Sequence, residues 1–319
     1  MKTSHRLHTE LEILAAISGV MIALQSRANG ELSLRLGNSV EAALISFSSG
    51  LLVIALISPF IPAIRVGAGK LREAVRARKI AKWRLGAGML GGSFVALQTR
   101  VVPIIGVALY SVASIAGQTV VSLIVDRIGL TGGGKKEITP RRVITAFVTV
   151  AAVLVSVLDK LSIANFSFIA VLLATLAGAF VGVQRALNGQ INEFSGQSFT
   201  TSFLNFIMGT SFLTIFLLLL IVFKGDHLVA LPASPWWMYT GGVIGVIYIA
   251  FTSTIVQHLG VLTFTLFSTG GTLIGSLLID IFSPTKGAHV TGYLITGIAM
   301  TYIGVAIGGQ SRLFAKLQR

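Results

Sequence analysis

The sequence predicts an all-α integral membrane protein: ten transmembrane helices arranged as two inverted-topology five-helix repeats. Three observations predict it. First, charge is scarce, with 11% of the 319 residues charged and 54% hydrophobic, whereas average soluble proteins are roughly 25% charged. Second, long runs carry no Asp, Glu, Lys or Arg, among them 42–64, 101–125, 161–184, 194–223, 228–257 and 259–279. Each can cross a bilayer core, which takes about 20 apolar residues; a β-barrel would show shorter, alternating segments. Third, GVMIALQSRANGEL at 19–32 returns as GAFVGVQRALNGQI at 178–191.

The helices are expected near 12–30, 40–64, 85–103, 106–128, 142–159, 166–186, 197–223, 236–256, 260–282 and 290–310. Ahead of the first, Lys2, Arg6, Glu10 and Glu12 precede an apolar segment without a small-residue cleavage site, so no removable leader is expected. After the second comes IRVGAGKLREAVRARKIAKWRLG, where eight of the 25 basic residues fall with a single acid, Glu73. This loop is expected to form a short helix lying on anionic headgroups. After the fourth comes GGGKKEITPRR with four more basic residues. Basic loops beside membrane spans stay in the cytoplasm. Both loops and the terminal RLFAKLQR agree with one orientation, with both termini cytoplasmic. The net charge of +14 is explained by these loops, so no nucleic-acid partner is expected. The chain has no Cys, which removes disulfides and thiolate metal sites. No cofactor or metal is expected; GGGKKE at 132–137 lacks the spacing of a phosphate-binding loop.

The repeat aligns residue by residue. Positions 19–50 match 178–209 at an offset of 159, with Gly19/Gly178, Gln25/Gln184, Asn29/Asn188, Gly30/Gly189, Gly37/Gly196, Ser39/Ser198, Phe47/Phe206 and Gly50/Gly209 identical. Positions 83–126 match 237–280 at an offset of 154, with identities that include Trp83/Trp237, Gly88/Gly242, Gly91/Gly245, Ser114/Ser268, Gly117/Gly271 and Asp126/Asp280. The halves divide at 1–160 and 161–319. With five helices each, the second copy enters the membrane upside down, an architecture that recurs in secondary transporters.

Amides inside hydrocarbon need partners or a wet cavity. Gln25 and Asn29 share a helix face, as do Gln184 and Asn188. All four are candidates to line a substrate path. The competing reading is interhelical hydrogen bonding, with Asn29-Gly30 and Asn188-Gly189 ending their helices as left-handed caps; caps are preferred for the two Asn and path lining for the two Gln. Phe94, Tyr110, Tyr248 and Phe264 match pairwise across the repeat and are candidate aromatic lining, core packing being the alternative. Small residues four apart, Gly19 with Ala23, Gly178 with Gly182, Gly88 with Gly92 and Gly241 with Gly245, read as close helix packing. Asp126 and Asp280 are expected at opposite ends of the membrane, each in a helix-end ion pair rather than coupling protons. Arg27, Arg100 and Arg185 are read as snorkelling cations, with anion binding the alternative, Glu31, Glu41 and Glu193 as solvated, His258 as interfacial, and Trp83, Trp236 and Trp237 as interfacial anchors.

The pattern G-x5-Q-x3-N-G, followed by G-x-S and F-x2-G, resembles the fused two-repeat form of the bacterial YdcZ-like branch of the drug/metabolite transporter superfamily. The resemblance covers nearly the whole chain. It implies a cytoplasmic-membrane carrier with a central cavity lined by helices one, three, four, six, eight and nine, and implies little about substrate. The expected activity is secondary transport of an unidentified small molecule by alternating access, in the lipid bilayer, with a homodimer as the one protein partner considered. A proton-coupled metabolite or drug exporter is the alternative within the class; the absence of a deep carboxylate in the first helix favours a neutral, zwitterionic or anionic substrate. A membrane scaffold or sensor would call for long loops or a soluble domain, and an enzyme for clustered nucleophile, base or metal ligands; neither pattern is seen in the sequence.

Overall fold

Helices account for most of the computed structural model, which describes residues 2–130, 135, 137–160, 166–248, 255, 261–285 and 289–309. In chain order they are α1 (Lys2–Leu36), α2 (Ser39–Ile57), α3 (Pro62–Arg76), α4 (Ala87–Ile105), α5 (Val107–Arg127), α6 (Pro140–Ser156), α7 (Phe168–Ser195), α8 (Ser198–Lys224), α9 (241–248), α10 (Val261–Phe282) and α11 (Gly292–Gly309). There is no strand among the described residues. Among the described residues seven helices are long and apolar enough to cross a membrane, and the chain is a multi-pass membrane protein. His258 and the terminal RLFAKLQR lie outside the described residues.

Three expectations about helix boundaries are corrected. Neither Asn29-Gly30 nor Asn188-Gly189 ends a helix. α1 continues through the (i, i+4) ion pairs Arg27–Glu31 and Arg35–Glu31, both at 2.8 Å, to Leu36, and α7 continues to Ser195. The left-handed glycines are the next matched pair, Gly37 (φ 65°) and Gly196 (φ 66°). Asn38 then caps α2 by accepting from the backbone N–H groups of Val40 and Glu41. The second helix stops at Ile57 rather than near 64, because Pro59 and Pro62 each lack an N–H. Ile61, held extended before Pro62 (φ −118°, ψ 86°), re-aims the chain into α3. The short helix expected in the basic loop is therefore α3. It buries Ile64, Gly67, Leu71 and Ala74 against α7 and α8 and leaves Arg65, Arg72 and Arg76 exposed.

Packing runs across the repeat. α1 lies along α10, α5 along α7, α2 against α8, α4 against α7 and α8, and α6 against α11. The glycines explain how the backbones come so close. A Cβ on Gly19 would stand 1.9 Å from the carbonyl oxygen of Ser268, and one on Gly178 would stand 1.9 Å from that of Ser114. Gly117 meets the carbonyl of Thr175, and Gly271 that of Ala16. Gly50 is filled by the Phe206 ring and Gly209 by the Phe47 ring, and these two matched rings touch at 5.5 Å between centroids. Each contact has its counterpart when both residues are shifted by the repeat offsets. The turns follow the same exchange. The α1–α2 turn, through Leu36 and Ala42, packs with Val229, Met238 and Trp237 of the α8–α9 linker. The α7–α8 turn packs on α3, where the Thr200 hydroxyl donates to the Ile64 carbonyl at 3.0 Å. A turn of one half thus meets the linker of the other in both places.

Candidate functional site

Between the halves lies a cavity of about 810 Å³. Its wall on α1 is Ile22, Gln25 and Ser26, and on α7 it is Val181, Gln184, Arg185, Asn188 and Asn192. Gln25 stands against Gly245 of α9 and Gln184 against Gly91 of α4, so each amide fits where the opposite half has no side chain. The Gln184 side-chain amide donates to Asn205 Oδ1 at 2.9 Å, and Asn205 donates in turn to Asn188 Oδ1 at 2.7 Å. α8 carries Asn205 into this chain at the place where α2 carries Ser46, its equivalent, which also lines the cavity.

Seven of the eight expected lining residues are brought together here: Gln25, Gln184, Asn188, Phe94, Tyr110, Tyr248 and Phe264. Phe94 and Tyr110 pack at 6.4 Å between ring centroids. Asn29 is separated from them. It is fully buried behind the cavity, where its Nδ2 donates to Gln98 Oε1 and Gln98 Nε2 donates to Ser26 Oγ, both at 2.8 Å. Asn29 therefore ties α1 to α4 instead of lining the cavity.

Several lining residues were missed from sequence. α5 presents Ser111, Ser114, Gln118, Thr119 and Ser122 to the cavity. Their spacing of three and four was a legible polar stripe on an otherwise apolar helix. Asn192, Asn205, Arg142 and Arg185 also line it. Arg185 had been read as snorkelling; it faces the cavity instead. Arg27 is corrected as well: it pairs with Glu31, lies 5.0 Å over the Trp237 ring and donates to the Ser283 carbonyl at 3.1 Å. Glu31 and Glu41 are buried rather than solvated, Glu31 between two arginines and Glu41 accepting from the Val229 N–H. Glu193 is exposed, as expected.

The two aspartates sit outside the cavity wall. Asp126 pairs with Arg142 at 2.6 Å, a helix-end ion pair of the expected kind. Asp280 also caps a helix, its two oxygens accepting from the Val107 and Ala108 N–H groups at 3.0 and 2.8 Å, at the start of α5. Links between elements stand outside the lining: Asp280 to α5, Arg27 to Ser283, and Asn29 through Gln98 to Ser26. The lining itself includes Arg142, Asn192 and Ser198.

A family model described as "Putative inner membrane exporter, YdcZ" matches residues 11–155 and again 169–307, one segment in each half. The chain belongs to this family. The resemblance read from G-x5-Q-x3-N-G is thereby established, and the membership identifies a transporter-type membrane protein rather than a member of an enzyme family. No curated protein matches the chain. A solved structure titled "Crystal structure of protein" is similar over 98% of both chains, with 16% identity and a TM-score of 0.50, a likeness of fold alone.

Proposed function

We propose that this YdcZ-family chain is a secondary transporter that moves a small molecule by alternating access, with the cavity between its halves as the substrate site. In this reading ten helices form two five-helix repeats of inverted topology, residues 1–160 and 161–319, with both termini cytoplasmic in the inner membrane. The observation that carries it is the cavity itself: about 810 Å³, between membrane-spanning helices, with Gln25 and Gln184 facing it from matched places in the two halves. The exchange of contacts between halves supports the inversion, since equivalent residues swap partners. Two near-equivalent halves give inward-open and outward-open states of similar energy.

Gln25 and Gln184 are the substrate contacts. An amide both donates and accepts hydrogen bonds without the desolvation cost of a charge, which suits binding followed by release. No Asp or Glu lines the cavity among the described residues, which favours this reading over a carrier in which protons and a cationic drug compete for a carboxylate. The test is thermal unfolding of purified protein against a metabolite library, since a ligand that binds the folded form stabilises it. Stabilising compounds should bind Gln25→Leu and Gln184→Leu about fivefold more weakly, the equivalent of a lost hydrogen bond of about 1 kcal/mol. Compounds that stabilise both variants as well as the parent would place the substrate elsewhere.

A further inference from the structure

We infer that the substrate carries a carboxylate and that Arg185 is the group that holds it; this rests on the transporter reading above. The charges around the cavity lead to it. Two charged residues line it, Arg142 and Arg185, and no acid does among the described residues. Arg142 is neutralised by Asp126 at 2.6 Å. Arg185 makes no hydrogen bond or ion pair with a described residue and is exposed to the cavity. The first half has Ser26 at the equivalent position, so the cation stands on one wall only.

A guanidinium left unpaired in a membrane protein is costly unless water or an anion compensates it. The cavity supplies water while empty, and a bound anion replaces that water with two parallel charge-assisted hydrogen bonds. One free guanidinium matches one carboxylate in charge and in fork geometry. A phosphate dianion would leave a second charge uncompensated, and a cationic substrate would be repelled. The neutral remainder of the ligand is served by the other walls, where Phe94 offers a ring and Tyr110 offers a buried hydroxyl with no hydrogen-bond partner among the described residues.

The chain has no native cysteine, so an introduced one reports alone. Ser122 lines the cavity on α5. It lies one turn beyond Gln118, whose carbonyl meets Gly182, and Arg185 is about one turn beyond Gly182; the two are therefore level. In Ser122→Cys protein, sulfonatoethyl methanethiosulfonate should outpace the trimethylammonioethyl reagent, each rate taken relative to a free thiol. Arg185→Gln should lower the anion-to-cation rate ratio about fivefold or more at low salt, because a unit charge acts on reagents of opposite sign. Arg185→Lys should keep the ratio. In parallel, thermal unfolding is read with a panel of small carboxylates and the primary amides and amines of the same carbon skeletons. The carboxylates should stabilise the parent, lose that effect in Arg185→Gln, and keep part of it in Arg185→Lys, which retains charge without the planar fork. A ratio unchanged by Arg185→Gln, or stabilisation by amines or amides in place of carboxylates, overturns the proposal and leaves transport standing. Were Arg185→Gln not to fold, no preference for the sulfonate reagent in the Ser122→Cys parent would overturn it as well.

Discussion

At the scale of single residues, helix backbones approach one another at glycines. Gly19, Gly117, Gly178 and Gly271 each place a Cα against a carbonyl oxygen of the neighbouring helix. A methyl group at any of them collides with backbone, which cannot rotate aside as a side chain can. Gly178→Ala should therefore cost about 1–3 kcal/mol of stability, read as a lower midpoint of thermal unfolding in detergent. Gly69→Ala is the matched control, in α3 with nothing within 4 Å of the new Cβ. There the change should be neutral or stabilising by about 0.5–1 kcal/mol, the helical preference for Ala over Gly. Equal effects at the two sites would mean that the α5–α7 seam is looser than the structure has it. The same scale separates the amides by role. Gln25 and Gln184 face the cavity, whereas Asn29 lies one layer back on Gln98. From sequence the four looked alike, because helical spacing fixes a face but not which neighbour covers it.

At the scale of elements, the start of α5 is decided by a partner distant in sequence. α5 begins immediately after Gly106 (φ 83°), and no side chain of its own first turn caps it. Asp280, 173 residues away, accepts from Val107, and its other oxygen accepts from Ala108. Two of the four orphan N–H groups of a helix start are satisfied in this way. Asp280→Ala should thus destabilise the fold by about 1–3 kcal/mol, the cost of burying unpaired polar groups, while transport per folded molecule is retained. A stable, well-expressed Asp280→Ala protein without transport would assign the carboxylate a coupling role instead. The sequence revealed the Asp126/Asp280 match, but the capping bond depends on tertiary contact and left no local signature. α3 was more legible: the basic loop already implied a short surface helix, though not its bounds at Pro62 and Arg76. The polar stripe of α5, from Ser111 to Ser122, was legible in the same way and went unread. The ends of α1 and α7 misled because Asn-Gly is a common stop signal, here overridden by the Arg27–Glu31–Arg35 pairs in α1 and by tertiary packing in both.

At the scale of the whole molecule, membrane class and family followed from charge-free runs and a repeated motif, both of which survive as sequence. The cavity did not: its walls come from α1, α2, α4–α11, and one periodicity cannot say which faces converge. The central claim is that this cavity opens alternately to the two sides of the membrane. Single cysteines test it in a protein that has none of its own. Leu34 and Ala233 are exposed beside the α1–α2 turn and in the α8–α9 linker, and Ala77 is exposed just after α3. Leu34→Cys and Ala233→Cys should react with an impermeant thiol reagent added outside intact cells, and Ala77→Cys only in inside-out vesicles. With those sites fixing orientation, the decisive position is Ile22, which lines the cavity one turn from Gln25 and Ser26. The account predicts that Ile22→Cys is labelled from outside in intact cells and from inside in inverted vesicles. Labelling from one side alone, with or without a stabilising compound, would contradict alternating access.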